Sequence, residues 1–570
     1  MESIKIPTEI QDFRQMVTEG FLFVDKSLLI RDILNNGMKK ILITRPRRFG
    51  KTLALSMIDR FFNIKYSDEE SQDDSFRGLK IESCPEYSTW VKSGYRNGFP
   101  VIRLDMSSLE FDSLESFKSS LLNKIRYLLN IEFGYILESE KVPDYLKQHI
   151  TLDESGMTLG LGESMNRLCT AISIHHGVKP IVLIDEYDSP INCSLNRNWS
   201  EELTDAYGDF LKITTKVCVN TSMVIITGVQ KFIMKGLYSS LNSIRHMSVV
   251  SGSLGEYFGI TPDEMMGLIS FCVDRRYSEL DPAKRKMISE QKYMDASQWY
   301  DGYNICGSDV FNPWSSMNYL EWNVLDDRPL MMYWNDTAEN EALVTLFSNA
   351  SDNILSTVKG AYVSGKPITI NRLSQNSPML KDKSGIDGDE LLNTLLSTGY
   401  LTLDRNDSTL ARIPNKEVRN SFDTLMTRVF CLNLPDINGL LDHIRDRDPG
   451  AVKDDLESLM EGGSYLDGWS EKRYKSWLHD LFSIYGYRSI TERESGEGRI
   501  DLFIEGYGNK PPIVFELKVV DPDSQDDLGE IADMGLQQII TQRYVDESPM
   551  KGAIALSVAF RKKSCAVRFL

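Results

Sequence analysis

The stretch Ile41-Leu42-Ile43-Thr44-Arg45-Pro46-Arg47-Arg48-Phe49-Gly50-Lys51-Thr52 decides the fold of this chain. An apolar, β-branched run leads into a Gly-Lys-Thr turn, and the helix formers Leu53-Ala54-Leu55-Ser56-Met57-Ile58 follow it. Strand, turn and helix in that order make a phosphate-binding loop, where backbone N–H groups and a helix N-terminus collect anionic oxygens. Lys51 is expected to reach the terminal phosphates and the Thr52 hydroxyl to hold Mg²⁺. The usual pattern has a glycine five residues before Gly50. Here that position is Arg45, and with Arg47 and Arg48 it gives the loop extra positive charge.

A second stretch, Ile181-Val182-Leu183-Ile184-Asp185-Glu186, reads as a buried parallel strand ending in two acids. At the phosphate edge of a sheet, Asp185 would hold the Mg²⁺ shell and Glu186 would orient or deprotonate the attacking water. A third strand, Met223-Val224-Ile225-Ile226-Thr227-Gly228, ends in Thr227, placed to sense a terminal phosphate. Lys231 and Arg245 follow it and, taken singly, read as surface charge.

These strands alternate with helical patterns at 113–131 and 161–176, which implies a parallel sheet covered on both faces. After about residue 260 the rhythm stops, and 261–400 reads as mostly helical. Within 389–413 a helix, Gly399-Tyr400-Leu401-Thr402-Leu403, an Asn-Asp-Ser turn and Thr409-Leu410-Ala411-Arg412-Ile413 suggest a winged-helix-like module, expected to pack as a lid.

At 570 residues the chain is too long for one core, so about three or four domains are expected. No apolar run reaches the ~20 residues of a membrane helix. Met1-Glu2-Ser3-Ile4-Lys5 lacks the layout of a secretory leader, and the 8 scattered cysteines form no C-x-x-C pair. A reducing, cytoplasmic setting is expected, without a zinc cluster or disulfide framework. The net charge of −18 argues against indiscriminate nucleic-acid binding but leaves room for a local basic groove.

The second constellation is Gly498-Arg499-Ile500-Asp501-Leu502-Phe503-Ile504, then Pro512-Ile513-Val514-Phe515-Glu516-Leu517-Lys518-Val519. Both stretches read as strands, with turn chemistry at Tyr507-Gly508-Asn509-Lys510. If Gly508-Asn509 centre the hairpin, Asp501 falls opposite Glu516, and Lys518 shares their face. Two carboxylates can bind Mg²⁺, and the lysine can orient a water or stabilise the transition state. An isolated Asp…Glu-x-Lys is more commonly a charge-paired edge hairpin. Glu471 and Tyr474 lie on a preceding helix pattern, and Gln538 with Tyr544 follows the two strands.

Taken with Val24-Asp25-Lys26-Ser27, Leu183-Ile184-Asp185-Glu186-Tyr187-Asp188-Ser189-Pro190, Tyr300-Asp301-Gly302-Tyr303, Asn312-Pro313-Trp314-Ser315 and Ile413-Pro414-Asn415-Lys416-Glu417-Val418, the chain resembles the AAA-ATPase-like family, whose members commonly carry a C-terminal PD-(D/E)XK nuclease-like domain. In that family Arg-Pro-Arg-Arg-Phe normally precedes Gly-Lys-Thr, so the resemblance makes Arg45 a family trait. It implies ATP contacts from Arg45, Arg47, Arg48, Gly50, Lys51, Thr52, Asp185 and Thr227. It implies metal ligands at Thr52, Asp185, Asp501 and Glu516, and catalytic roles for Glu186, Glu471, Asp501, Glu516, Lys518 and Gln538. Two positions depart from it: Tyr474-Lys475 where Tyr-His is frequent, and Gln542 where lysine is frequent.

The expected architecture is α/β and multidomain. An AAA-like P-loop ATPase domain spans 1–260, and a helical lid with the winged-helix-like module spans 261–440. A linker helix lies in 441–465, and a restriction-endonuclease-like α/β domain spans 466–570. The expected function is an ATP-regulated, Mg²⁺-dependent nuclease acting on DNA more than RNA, possible in defence against foreign DNA. Homo-oligomerisation is left open and no membrane partner is expected. The alternatives are a non-catalytic switch and a DNA-binding regulator.

Overall fold

The computed structural model describes residues 4–72, 74–150, 161–194, 197–232, 244–334, 347, 350–374, 388–422, 437–461, 470–484, 487–496, 498–506, 511–521, 524–545, 550 and 552–570. The chain divides into two compact units. The first is Met1–Ala361 with Gly365–Ser421, and the second is Tyr362–Ser364 with Phe422–Leu570.

In the first unit five strands form one sheet: β1 (Lys40–Thr44), β2 (Val101–Asp105), β3 (Ile181–Asp185), β4 (Met223–Gly228) and β5 (Arg245–Met247). Their order is β2-β3-β4-β1-β5 and every pairing is parallel. The four strands expected from sequence are present. The fifth, three residues long, has no apolar run to announce it and places Arg245 on the sheet edge rather than near the phosphate loop's mouth.

Both faces of the sheet are covered, as a parallel sheet requires. Alternation along the strands sends Leu42, Ile184 and Ile226 into one core with the helices Leu114–Tyr127, Leu161–His176 and Ser200–Lys212. It sends Ile41, Ile43, Leu183 and Ile225 into the other, with the helix Lys51–Phe62. The sheet order puts β4 between β1 and β3, so the ends of the three strands named above lie side by side.

The helical region belongs to the same unit. Helices Pro262–Arg276 and Pro282–Tyr300 share a core with Pro313–Tyr319. The hairpin β6 (Tyr303–Ile305) and β7 (Ser308–Val310) follows the second of them. The winged-helix-like segment forms the helix Gly388–Thr398 and a three-stranded sheet of β8 (Ile368–Thr369), β9 (Thr402–Leu403) and β10 (Leu410–Arg412), in the order β8-β10-β9. Its Thr402 hydroxyl accepts the Asn304 N–H of β6 at 2.8 Å, so the module is packed against the β6–β7 hairpin.

The second unit is a mixed five-stranded sheet in chain order: β11 (Ser489–Ser495), β12 (Gly498–Ile504), β13 (Ile513–Val519), β14 (Ile554–Arg561) and β15 (Ser564–Phe569). β13 and β14 are parallel and the other neighbours antiparallel. One face packs on the helices Ile437–Arg445, Pro449–Glu461 and Glu471–Ile484. The other packs on Leu528–Thr541. The stretch expected as a linker, 441–465, thus contributes Leu441, Ile444, Val452 and Leu456 to this core. Among the described residues no helix is long and apolar enough to cross a membrane.

Candidate functional site

The phosphate loop leaves β1 and enters the helix Lys51–Phe62 through two left-handed residues, Arg48 (φ 66°) and Gly50 (φ 75°). That double reversal curls the loop and turns the helix N-terminus towards a cavity of about 670 Å³. Arg47, Arg48, Gly50, Lys51, Thr52 and Glu186 line its polar end. Phe13, Leu22, Phe23, Ile260, Trp314 and Met317 line the apolar remainder. The volume and the mixed lining are those of a small-molecule site. Lys51 Nζ sits over the loop and donates to the carbonyl oxygens of Arg45 and Pro46 at 3.1 and 3.0 Å.

Asp185, Glu186 and Thr227 also converge, as the strand order dictates. The Thr227 hydroxyl donates to the Asp185 carboxylate, so its hydrogen belongs to the strand-end network in this state. Glu186 has φ 49°, an uncommon backbone for a side chain with a Cβ, and its carboxylate faces the cavity. Burial raises its pKa above the usual carboxylate value, against the pull of the nearby Lys51 charge. Asp188 stiffens the neighbourhood from beneath, accepting the N–H groups of Val229 and Gln230 at 2.8 and 3.0 Å.

Arg45 is not brought to this cavity. Its side chain is fully buried, with Nη1 donating to the carbonyls of Thr44 and Met247 at 2.8 and 2.9 Å. Its guanidinium stands 5.1 Å from the Phe258 ring centroid. Burial lowers its pKa to about 10. A guanidinium held by two backbone carbonyls through Nη1 and set against a ring braces β1 against β5, and Arg45 does not line the cavity. The sequence placed Arg45 beside Lys51 but could not show which way its side chain turns.

In the second unit β12 and β13 pair as Leu502↔Phe515, Phe503↔Val514 and Ile504↔Ile513. Continuing this register by one step sets Asp501 level with Glu516. It is also the register that a turn centred on Gly508-Asn509 demands, although residues 507–510 lie outside the described residues. Asp501 Oδ2 accepts the Leu517 N–H at 2.8 Å. Lys518 Nζ is held between Glu516 Oε1 and Gln538 Oε1, 2.8 Å from each, and Gln538 Nε2 reaches the Tyr544 hydroxyl at 3.3 Å.

Glu516 is the most telling member. It is 1% exposed, and its Oε2 has no hydrogen-bond partner in the described structure. Burial pushes its pKa up to about 7; the Lys518 bond opposes this, while the carboxylates of Asp501 and Glu471 add to it. A buried carboxylate oxygen left unsatisfied is costly unless a cation or proton meets it. Among the described residues no three acidic, histidine or cysteine side chains form a ready-made metal cage. Two carboxylates suit Mg²⁺, which keeps several waters and takes few protein ligands. The residues therefore fit a Mg²⁺ ion.

Glu471 stands at the rim, half exposed, with Lys475 Nζ 3.7 Å from its Oε1. Lys475 was visible in the sequence only as a departure from the resemblance. In the structure its Nζ lies 2.7 Å from Asp501 Oδ1 and also bonds Glu492. Glu492 carried no signal at all, because its place depends on a strand pairing that spacing alone does not give.

Residues 7–238 match the model of the AAA-ATPase-like family, described as a predicted AAA-ATPase. Residues 469–569 match that of the PD-(D/E)XK nuclease superfamily. The chain is also similar to a protein of Azotobacter chroococcum mcd 1 named as an uncharacterized protein in the vnfD 5′ region. The two are 24% identical over 602 residues, covering 100% of this chain and 98% of that one. The chain thus carries an AAA-ATPase-like region followed by a PD-(D/E)XK nuclease-superfamily region, the layout its motifs resemble.

Proposed function

We propose that this chain, with an AAA-ATPase-like region and a nuclease-superfamily region, is an ATP-regulated, Mg²⁺-dependent nuclease acting on DNA. One observation carries the proposal: Asp501, Glu516, Lys518 and Gln538 meet at one spot, around a buried carboxylate oxygen without a partner among the described residues.

Asp501 and Glu516 would hold Mg²⁺, which supplies charge neutralisation at a phosphodiester and acidity to a bound water. The remaining roles belong to the chain. Gln538 and Glu516 fix the Lys518 ammonium from two sides, so little side-chain freedom is lost when it meets a phosphate oxygen or an attacking water. The Leu517 N–H keeps Asp501 turned toward Glu516.

In the first unit the cavity is read as an ATP site, with the base against Phe23, Ile260 and Trp314. Lys51 exchanges two neutral carbonyl acceptors for phosphate oxygens, a charge-assisted and stronger bond. Thr52 and Asp185 are the residues that would hold its Mg²⁺, and Glu186 the one that orients water. Arg47 and Arg48 supply charge at the mouth. Arg45 has only an indirect part, by holding the loop's first residue to β5.

The test is cleavage of plasmid, linear duplex, single-stranded DNA and RNA, with and without Mg²⁺ and ATP. Asp501→Ala and Lys518→Ala are expected to abolish cleavage while ATP binding survives. Cleavage unchanged by either substitution would remove the catalytic assignment and leave a binding module.

A further inference from the structure

The acid pair already holds a positive charge. Lys475 is only 8% exposed, and its Nζ is bounded by Asp501 at 2.7 Å, by the Glu492 carboxylate and by Glu471 at 3.7 Å. An ammonium set among three carboxylates is held as a cation by their charge.

The backbone is bent to achieve this arrangement. β11 and β12 pair at Thr491↔Leu502 and Arg493↔Ile500, yet the pair between them, Glu492 with Asp501, is missing from the ladder. Glu492 has φ 54° there, inside a strand, where a residue with a Cβ is strained. The break lies directly opposite Asp501 and directs the Glu492 carboxylate onto Lys475. Strain kept at one residue beside a buried charge points to a place where the charge matters.

We propose that Lys475 is the resident counter-ion of this acidic site and sets its affinity for a divalent cation. The inference rests on the reading that Asp501 and Glu516 hold that cation. Asp501 Oδ2 is engaged by the Leu517 N–H and Oδ1 by Lys475. A divalent ion held by Asp501 and Glu516 would meet that ammonium on the Asp501 carboxylate, sharing the group with it or displacing it. Either way the like charge opposes the ion at short range in a site shielded from water. Lys475 thus keeps the acid pair neutralised when Mg²⁺ is scarce and makes occupancy depend on Mg²⁺ concentration. It is a positioning residue, acting on the metal through Asp501 and not on the substrate.

The experiment is calorimetric titration of the full chain with MgCl₂, without nucleic acid or nucleotide, in an Asp185→Asn background that removes the carboxylate assigned to Mg²⁺ at the nucleotide site. Lys475→Ala is expected to tighten Mg²⁺ binding by about tenfold or more, because a like charge is removed. Lys475→Arg, which keeps the charge, is expected to stay near wild type. Lys475→Gln gives the same reading should the alanine variant not fold. Affinity unchanged or weakened in both neutral variants would overturn the inference. A Glu516→Gln variant separates the two layers. Loss of binding there with no gain in the Lys475 variants defeats the inference alone. Binding untouched by Glu516→Gln defeats the metal reading and the inference with it.

Discussion

The guanidinium of Arg48 stands 4.1 Å from the ring centroid of Trp314. One residue belongs to the phosphate loop and the other to the lid helix Pro313–Tyr319, and both line the same cavity. A cation over an indole face contributes about 0.5–2 kcal/mol, depending on how far it is desolvated. Beside Trp314, the Ser315 hydroxyl bonds the buried Glu417 carboxylate at 2.7 Å, and Glu417 also accepts the N–H groups of Tyr333 and Trp334. The phosphate loop therefore abuts a hydrogen-bonded network that reaches residue 417.

If phosphate draws Arg48 off the ring, the environment of Trp314 changes. ATP is expected to alter the intrinsic fluorescence, and Trp314→Phe to remove most of that change while the other tryptophans remain. An equal ATP response in Trp314→Phe would show that the lid does not sense the loop.

Lys51→Ala is expected to weaken ATP binding by about tenfold or more, the scale of one charge-assisted phosphate contact. Glu186→Gln should bind ATP normally and retain it without turnover. Because burial raises the Glu186 pKa, its basic form is lost at higher pH than for an ordinary glutamate. Hydrolysis should therefore decline as pH falls through that raised value, and the decline should be absent from the residual rate of Glu186→Gln. Calorimetry and phosphate release measure the two halves.

Glu516 gives a second pH signature. Its folded pKa of about 7 lies above its ordinary 4.5, so the metal-free fold binds the proton more tightly than the unfolded chain does. Stability of the second unit without Mg²⁺ should be greatest below about pH 4.5 as far as this group is concerned, and should fall as pH rises towards 7. Mg²⁺ competes with the same proton, so its apparent affinity should weaken as pH drops below about 7. Melting curves at several pH values, with and without Mg²⁺, read both slopes. Glu516→Gln should flatten them.

Gly302 has φ 95°, and a Cβ built there would lie 2.2 Å from the Pro414 carbonyl oxygen. Asn415 Nδ2 donates to the Asp301 carbonyl alongside, at 2.7 Å. This is where the Tyr300-Asp301-Gly302-Tyr303 motif meets Ile413-Pro414-Asn415. Gly302→Ala should lower the melting temperature of the first unit by about 4 °C or more through backbone strain and that clash. An unshifted transition would mean the two motifs do not rely on this approach.

What could be read from the sequence was whatever depends on local order. The P-loop strand, the Asp185-Glu186 strand end and the two strands beside them follow from period and turn chemistry. So does the Asp501–Glu516 register, because a hairpin centre assumed at Gly508-Asn509 fixes every pair behind it, and the observed pairs of β12 and β13 keep that register. The rest depends on side-chain direction or on long-range pairing. Arg45 looked like a phosphate contact by adjacency, and its burial between β1 and β5 could not be foreseen without β5. Residues 441–461 looked charged and linking, yet their apolar minority forms one buried stripe. Lys475 and Glu492 meet only because one ladder step between β11 and β12 is broken.

Asp501 carries two duties that a single substitution would confuse. Its Oδ2 satisfies the N–H of Leu517 and its Oδ1 neutralises the buried Lys475. Asp501→Ala therefore leaves the Leu517 N–H without its acceptor and the Lys475 ammonium with Glu492 and Glu471 alone, which costs on the order of 1–3 kcal/mol. Asp501→Asn keeps an acceptor oxygen for Leu517 but removes the charge that binds metal. It should lose cleavage and Mg²⁺ affinity as fully as the alanine variant while melting closer to wild type. Denaturant unfolding beside a Mg²⁺ titration separates the duties. If the asparagine variant still cleaves, the carboxylate is structural and the metal site lies elsewhere.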